Sequence, residues 1–243
     1  MSTTFLAIEG SYTNLQIALF KDKTCIQKIS GDNLKASSTL ILKIDEILKQ
    51  NKIKLSDLDF ISVNQGPGAF TSLRVIIATV NGISFATKIP LIGIDGLDAL
   101  SEQTLNLFSE KENPTKLISL LNAYSNEVYF SVNKINENKL EKIKPNGYEK
   151  IEYFLDEIAT LRQAQGEREV NKKILFTGNG TTLHKNLIQK KLGSNAIFSE
   201  NILQTTDVDQ IAKMALQKWN QKNDPVYKLK PLYLKTQTFA VKK

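Results

Sequence analysis

Three glycine-containing turns hold the residue types that could bind a phosphate group. Backbone N–H groups in a turn that follows a strand can converge on one anion. A glycine in the turn has no side chain, so the anion can approach the backbone closely. The turns span residues 9–11, 66–71 and 178–180, and none matches the GxxxxGKS/T or GxGxxG pattern, so P-loop and Rossmann nucleotide sites are excluded. The residues predicted to lie near a nucleotide are Glu9, Gly10, Ser11, Gly66, Gly68, Phe70, Thr71, Arg74, Gly178 and Gly180.

Residues 66–71 form the most specific of these strings. A proline between two glycines fixes a tight backbone, and the string presents an exposed Phe70 ring at the start of a helix for which Thr71 is a good N-cap. A connector between a strand and a helix, without any ligand, explains the same residues equally well. For residues 9–11 a plain turn is the favoured interpretation, because a single glycine after a strand more often forms a turn than a ligand site.

One cysteine and one histidine limit the chemistry further. Cys25 and His184 cannot form an internal disulfide, nor a zinc or non-haem iron site built from several such ligands. Cys25 lies between Thr24 and Ile26, which predicts a small buried apolar side chain rather than a reactive thiol. The sequence therefore offers no catalytic residue and no metal ligand that we can assign.

Hydrophobic periodicity predicts an α/β protein in which one order of elements occurs twice. Alternating apolar residues indicate strands, and apolar residues spaced by three and four indicate helices. In each half, three strands are followed by a helix, a strand and a helix, which indicates an internal duplication at the level of the fold. The predicted strands cover residues 4–9, 14–20, 23–30, 59–64, 91–94, 117–121, 128–132, 139–143 and 174–177, and the helices cover residues 37–50, 72–87, 95–107, 148–161, 181–191 and 207–220.

Two lobes follow from this order of elements. We expect one lobe from residues 1–108 and a second from residues 109–243, which includes the terminal helix and a lysine-bearing tail from residue 225. Residues 161–169 contain almost no bulky apolar side chain and are interpreted as a surface insertion.

The chain is basic, but the distribution of its charge argues against a nucleic-acid-binding surface. Lysine and arginine number 32 against 25 acidic residues, yet only three are arginine, whose planar fork suits phosphate. The surplus lies in the second half and mostly in the tail, for which a solvated end is favoured over contact with a nucleic acid within a larger complex. The N-terminus does not look like a signal peptide, and no apolar stretch approaches the ~18 residues of a membrane span, so we predict a cytoplasmic protein that enters no membrane.

Several strings, in the same order and across nearly the whole chain, resemble the TsaB family of bacterial proteins, formerly called YeaZ. The string NQGPGAFTSLR at residues 64–74 is highly specific. The other strings are weak singly but support the resemblance together. These others are residues 6–8 with Ser11, 89–94, 122–129, 178–180 and 231–234.

The resemblance implies an ASKHA fold, the duplicated architecture of actin, Hsp70 and sugar kinases, with two similar lobes of order β-β-β-α-β-α. It also implies a place in the synthesis of threonylcarbamoyladenosine, a tRNA modification next to the anticodon. Members of this family support and dimerise with the paralogue TsaD, which transfers the threonylcarbamoyl group to tRNA. The ATPase TsaE joins the complex and TsaC supplies the threonylcarbamoyl-adenylate. The chain is expected to have no intrinsic cofactor, with ATP or ADP bound at its interface with TsaD.

The same resemblance implies that this chain is not catalytic by itself. TsaD holds its metal with two histidines in an HxxxH string, and the matching positions here are Gly96 and Leu100. The first turn also departs from the family pattern, with Glu9 where aspartate is usual and Gly10 where threonine is usual. The main alternative is an ASKHA-type ATPase or small-molecule kinase in its own right. A metallopeptidase and a stand-alone nucleic-acid binder are further alternatives.

The TsaD interface is implied to lie on the helices at residues 37–50 and 72–87. The second helix is apolar on nearly every side and carries a row of small residues at Ala78, Gly82 and Ala86, although a sandwiched core helix has the same pattern. Without TsaD, the same surface could close a two-fold homodimer. The predicted interface residues are Leu40, Ile41, Ile44, Leu73, Ile76, Ile77, Val80, Gly82 and Ile83.

Overall fold

Each half of the chain is organised around a five-stranded sheet. The computed structural model describes residues 2–32, 36–108, 113–164, 172–222 and 224–235, with the backbone alone at 161–164. The first sheet and its helices are β1 (Thr4–Glu9), β2 (Asn14–Lys21), β3 (Thr24–Asp32), α1 (Ala36–Gln50), β4 (Phe60–Gly66), α2 (Phe70–Thr87), β5 (Leu91–Asp95) and α3 (Gly96–Leu107). The second half contains β6 (Lys116–Asn122), β7 (Glu127–Asn136), β8 (Lys139–Lys150), α4 (Ile151–Ala164), β9 (Ile174–Thr177), α5 (Asn179–Leu192), β10 (Ala196–Phe198) and α6 (Val208–Asn220).

The two sheets share one topology, which confirms the predicted duplication and the two-lobed ASKHA-type α/β fold. The strand order is β3-β2-β1-β4-β5 in the first sheet and, read in the same direction, β8-β7-β6-β9-β10 in the second. Strand β1 pairs antiparallel with β2 and parallel with β4, and β6 pairs in the same way with β7 and β9. Each strand of the first sheet therefore has a counterpart five strands later.

The first sheet is buried on both faces because its central strand carries apolar residues at consecutive positions. Leu6 and Ile8 point to one face, where they join the apolar residues of α1 and α2. Phe5 and Ala7 point to the other face, where Phe5 stacks on Phe60 with 4.4 Å between the ring centroids. Two layers of helix therefore enclose this sheet.

Helix α6 packs on the first sheet, which corrects the predicted lobe boundary. Its buried face, including Ile211, joins the cluster that contains Phe5. By their contacts, residues 1–103 form one unit with residues 205–232, and the rest of the chain forms the other. An amphipathic pattern shows that a helix has a buried face but not which sheet covers it, so assigning α6 to the second lobe was wrong.

The boundary between β8 and α4 differs from the prediction. Residues 148–150 extend β8, so α4 begins at Ile151 and continues to Ala164. The surface insertion predicted at residues 161–169 therefore begins as helix. Residues 165–169 lie outside the described part of the chain.

The side chain of Cys25 is exposed on β3, which contradicts the prediction that it is buried. Strand β3 lies at an edge of the first sheet, and most of its residues are exposed or half-buried. A short apolar run does not reveal which strands lie at a sheet edge, so the sequence could not show this exposure.

Helix α2 has 18 residues and is, by length and composition alone, apolar enough to cross a membrane. This corrects the prediction that no segment approaches that length, although buried helices of globular proteins pass the same test. Only 28% of its residues are buried, and the others are half-buried or exposed. The buried residues are Leu73, Ile76, Ile77, Val80 and Ser84.

Residues 225–232, which we call the strap, are held against α2, so this part of the predicted tail is not a solvated end. Residues 236–243 of that tail lie outside the described part of the chain. The side-chain amide of Asn81 donates a hydrogen bond to the Leu229 carbonyl oxygen at 2.9 Å, and its oxygen accepts one from the Leu229 N–H at 2.8 Å. The Ser84 hydroxyl donates to the Tyr227 carbonyl oxygen at 3.1 Å. Leu229 is buried in the first core, so the strap completes the packing of this unit.

Replacing Asn81 with alanine should lower the free energy of unfolding by about 2 kcal/mol, because both backbone groups of Leu229 lose their partner. Urea denaturation measures this loss, and hydrogen exchange should show faster exchange of the Leu229 amide. Thr79→Ala is the matched control, since it removes a hydroxyl that donates only to the Val75 carbonyl oxygen within α2; it should cost less than about 0.5 kcal/mol. Equal losses in the two variants would show that the Asn81 contact does not hold the strap.

Candidate functional site

The Glu9 carboxylate lies at the C-terminal end of β1 and is buried, with 4% of the residue exposed. Its Oε1 accepts hydrogen bonds from the Ser11 N–H at 3.0 Å and from the Ser11 hydroxyl at 2.6 Å. Its Oε2 accepts one from the Asn64 side-chain amide at 2.5 Å. Both oxygens are therefore used inside the protein, as a buried carboxylate requires.

Asn64 connects the Glu9 carboxylate to the loop after β4 and to the start of α3. Its amide oxygen accepts a hydrogen bond from the Gly66 N–H at 2.8 Å. A Cβ atom at Gly96 would lie 2.7 Å from either side-chain amide atom of Asn64, so a larger residue has no room there. Asn64 is missing from the predicted site residues, and a polar residue within an otherwise apolar strand is the signal that could have identified it.

Gly68 brings the loop after β4 into contact with the turn after β1. A Cβ atom at Gly68 would lie 2.3 Å from the Ser11 carbonyl oxygen. The neighbouring Ala69 N–H donates a hydrogen bond to that same oxygen at 2.7 Å. The two turns are therefore joined by a backbone approach that excludes any side chain, which is the physical reason for this glycine.

Several polar groups in the turns of the first unit are used inside the protein. The N–H groups of Gly66 and Ala69 already donate inside the protein, Pro67 has none, and both oxygens of Glu9 accept hydrogen bonds. Within the described ranges, no group of three or more His, Cys, Asp or Glu side chains could hold a metal ion. Of the two interpretations that the sequence left open, this geometry favours the structural connector.

Burial raises the pKa of the Glu9 carboxyl above its ordinary value. Hydrogen bonds from Ser11 and Asn64 oppose this rise, and the negative charge of Asp207 adds to it. The Asp207 carboxylate caps α6 by accepting a hydrogen bond from the Gln210 N–H at 2.9 Å. Asp207 is also missing from the predicted site residues, although an aspartate just before an amphipathic helix is an N-cap signature.

In the second unit, two N–H groups of the turn after β9 also donate hydrogen bonds inside the protein. The N–H groups of Gly178 and Asn179 each donate to a carbonyl oxygen of residues 203–204 at 2.8 Å. Gly178 has a φ of 98°, which favours glycine. A Cβ atom at Gly180 would lie 3.0 Å from the backbone of Leu120, so this second glycine allows α5 to approach β6.

The other predicted residues of the first unit divide between the interior and the surface. Gly10 is buried. Phe70 is 40% exposed, as predicted, and the guanidinium carbon of Arg74 lies 4.9 Å from its ring centroid. Thr71 does not cap α2, because the helix begins at Phe70 with Ala69 as its N-cap.

Six of the nine predicted interface residues are buried in the first unit, so they cannot contact a partner. The prediction chose apolar residues of the two helices without separating those that face the sheet, and the residues at the core-facing spacing hold α1 and α2 against it. Of the others, Ile41 is 63% exposed, Ile83 is half-buried, and a Cβ atom at Gly82 would have nothing within 4 Å. The buried six, each no more than 4% exposed, are Leu40, Ile44, Leu73, Ile76, Ile77 and Val80.

Two exposed apolar residues are missing from the predicted interface. Leu42 on α1 is 67% exposed and Phe85 on α2 is 77% exposed. Both lie off the core-facing stripe of their helix, so counting helical periodicity from the buried residues would have identified them.

Comparison with known proteins gives one family. The family model described as "TsaD: tRNA N6-adenosine threonylcarbamoyltransferase" matches residues 35–240. The tRNA threonylcarbamoyladenosine biosynthesis protein TsaB of Buchnera aphidicola (subsp. Acyrthosiphon pisum) is 31% identical over 58% of this chain, and the match spans 62% of that protein. The TsaB protein of Haemophilus influenzae is 24% identical over 96% of this chain and 94% of its own length.

A solved structure shows the same fold. It is a crystal structure from Pseudomonas aeruginosa, described as an uncharacterized protein with similarity to peptidase YEAZ. It superposes with a TM-score of 0.71 at 18% identity and covers 96% of this chain and 100% of its own.

Replacing Gly68 with alanine should lower the free energy of unfolding by about 3 kcal/mol, because the added Cβ meets backbone atoms that can move only if the two turns separate. Gly82→Ala is the matched control, since that position is open. The control should raise stability by up to about 1 kcal/mol through helix propensity. Urea denaturation compares the variants, and a Gly68→Ala protein as stable as the wild type would contradict the proposed packing.

The raised pKa of Glu9 predicts that its contribution to stability falls as pH rises. Above pH 4.5, the ordinary value for this group, and up to its higher folded pKa, the folded state binds more protons than the unfolded state, so the free energy of unfolding decreases with pH. Glu9→Gln removes this titration. The stability of the wild type relative to Glu9→Gln should therefore decline as the pH rises above 4.5 in urea titrations, and a relative stability that rises instead would contradict the prediction.

Proposed function

The chain belongs to the family of the tRNA threonylcarbamoyladenosine biosynthesis protein TsaB, which the TsaD family model also matches, and on this premise we propose that it is the non-catalytic scaffold subunit of a tRNA threonylcarbamoyl transferase complex. Relatives from several bacteria carry that biosynthetic name, which supports a place for this chain in the same synthesis. Its direct partner in this proposal is a TsaD-type transferase.

The residues at the positions that match the metal ligands of TsaD support a non-catalytic role. Gly96 and Leu100 stand where the HxxxH ligands of TsaD are expected. Leu100 is fully buried, and Gly96 lies against Asn64 without room for a Cβ atom. The single histidine of the chain, His184, lies on α5 in the other unit. The Glu9 and Asn64 network thus occupies the space that a ligand at position 96 would need.

The single observation that carries the scaffold proposal is the exposed face of α2. Phe85 is 77% exposed on a helix whose one charged residue is Arg74. Ala78, Gly82 and Ala86 are exposed on the same helix, and their small side chains leave room for the ridge of a partner helix. Exposed apolar surface of this kind marks a protein interface.

Helix α1 extends this surface, and α5 provides a contrast. Helix α1 packs beside α2 and exposes Ile41 and Leu42. Helix α5, the counterpart of α2 in the second unit, carries Lys185, Lys190 and Lys191 instead of a charge-poor exposed face. The duplication thus produced two equivalent helices, of which α2 has the composition of an interface.

The remaining partners follow from the family and are part of this proposal. TsaE joins the complex, TsaC supplies the threonylcarbamoyl-adenylate, and tRNA is reached through the assembled complex in the cytoplasm. ATP or ADP held at the interface with TsaD is part of the same proposal. Without TsaD, the face of α1 and α2 closes a homodimer.

Co-expression with the TsaD of the same organism, followed by size-exclusion chromatography, tests the proposal. The two chains should co-elute, and Phe85→Glu should weaken the association by at least about 30-fold, the loss expected at an interface hot spot. Leu183→Glu is the matched control, because Leu183 is 60% exposed on α5 and should leave the association unchanged. Both residues are exposed, so both variants should fold like the wild type.

Two results would contradict the proposal. The first is a failure of the wild-type chain to co-elute with TsaD while deletion of its gene leaves tRNA modification intact. The second is hydrolysis of Mg-ATP by the purified chain alone, which would favour the kinase-like or ATPase alternative.

A further inference from the structure

Four basic residues border the exposed face of α2, and we call them the basic rim. Arg74 lies in the second turn of α2, Lys88 is the C-cap of that helix, and Lys228 and Lys230 lie on the strap. All four residues are exposed. None of them forms an ion pair with a carboxylate in the part of the chain that the structure describes. The rim therefore adds positive charge to an otherwise apolar face.

The backbone of the strap fixes the position of its two lysines beside α2. Leu229, which lies between them, is buried in the first core, and Asn81 of α2 bonds both of its backbone groups. The Lys230 carbonyl oxygen accepts a hydrogen bond from the Gln65 side-chain amide at 2.9 Å. Because these contacts use only backbone groups of the strap, the side chains of Lys228 and Lys230 stay exposed along α2.

The other two rim residues each lie over an exposed aromatic ring of α2. The guanidinium carbon of Arg74 is 4.9 Å from the centroid of the Phe70 ring, and the Lys88 Nζ is 5.0 Å from the centroid of the Phe85 ring. An aromatic face attracts a cation without neutralising its charge. A partner that covers Phe85 therefore also meets the charge of Lys88.

Neighbouring acidic residues do not cancel this positive charge. Helix α1, which packs beside α2, has no net charge, because its two acidic and two basic residues balance. Its Lys49 and Asp45 form an ion pair at 2.7 Å. Asp224, the acidic residue next to the strap, lines a cavity together with Lys218. The basic rim is thus a surplus of charge at this face.

We propose that the partner which covers α2 presents an apolar helix flanked by carboxylates, and that these carboxylates face the basic rim. This inference rests on the proposed function and adds the charge of the partner's contact surface. Opposite charges around an apolar centre steer two proteins together and fix their register. A second copy of this chain would bring the same positive rim to the interface, so we expect the homodimer to be the weaker assembly.

The apolar stripe inside the rim favours a protein over a nucleic acid as the occupant. Ala78, Gly82 and Phe85 are exposed between the basic residues. Affinity for nucleic acid comes mainly from phosphate contacts, which leave apolar side chains of this kind uncovered. A partner helix covers the stripe and brings its carboxylates to the rim together.

The test measures the association rate of the full chain with the TsaD of the same organism by surface plasmon resonance. Salt screens charges that steer association, so the rate for the wild type should fall at least about tenfold between about 50 mM and about 500 mM NaCl. The double variant Lys228→Glu, Lys230→Glu should associate about tenfold more slowly at low salt and lose most of the salt dependence. Its fold should be unchanged, because both side chains are exposed.

A matched double variant controls for the change in net charge. Lys139→Glu with Lys190→Glu makes the same change at two exposed lysines of the second unit. It should alter the low-salt association rate by less than about threefold, because its charges lie away from the contact surface. Fluorescence anisotropy with labelled tRNA, on the isolated chain and both double variants, separates a protein partner from a nucleic acid.

Three outcomes would overturn the proposal. The first is an association rate that is independent of salt, or equal in the wild type and the Lys228→Glu, Lys230→Glu variant; the scaffold proposal survives this result if the wild type still binds TsaD. The second is a loss of tRNA binding in that variant but not in the control, which would assign the rim to nucleic acid. The third is a wild-type chain that does not bind TsaD at either salt concentration, which would overturn both proposals.

Discussion

The buried Glu9 carboxylate holds the turn after β1 against the loop after β4, and the placement of α2 depends on this connection. A buried carboxylate is strongly destabilising unless both oxygens are paired, and Ser11 and Asn64 provide the paired donors. The loop that Asn64 and Gly68 fix leads directly into α2. The same contacts therefore determine where α2 begins, and its buried residues then determine which face remains exposed.

In the second unit, neutral groups accept the hydrogen bonds of the equivalent turns. Asn122 ends β6 as Glu9 ends β1, and its N–H donates a hydrogen bond to the side-chain oxygen of Asn179 at 2.7 Å. Carbonyl oxygens of residues 203–204 accept from the turn after β9. Both units thus keep the topology of the ASKHA fold while using several donors of their turns for internal structure. Fold and chemistry are separable in this way because function depends on particular side chains and not on topology.

The sequence predicted the order of elements and the duplication because both depend on local periodicity, which is strong in residues 4–9 and 72–87. It could not show that α6 packs on the first sheet, since an amphipathic helix does not identify its partner. It also assigned Leu40 and Ile76 to an interface, because apolar character alone does not separate a core-facing residue from an exposed one. Gly68 belongs to the most specific string of the sequence, but its close contact with the backbone of Ser11 could be seen only in the structure.

In the proposed complex, the exposed side of α1 and α2 contacts a TsaD-type partner. Hydroxyl-radical footprinting tests this claim directly, because it reports the solvent accessibility of individual side chains in the chain alone and in the presence of TsaD. We expect the oxidation of Ile41, Leu42 and Phe85 to decrease on addition of TsaD, while Tyr153 and Leu183, which are exposed on the second unit, keep their rates. Unchanged oxidation of Phe85, or protection confined to Tyr153 and Leu183, would contradict the account.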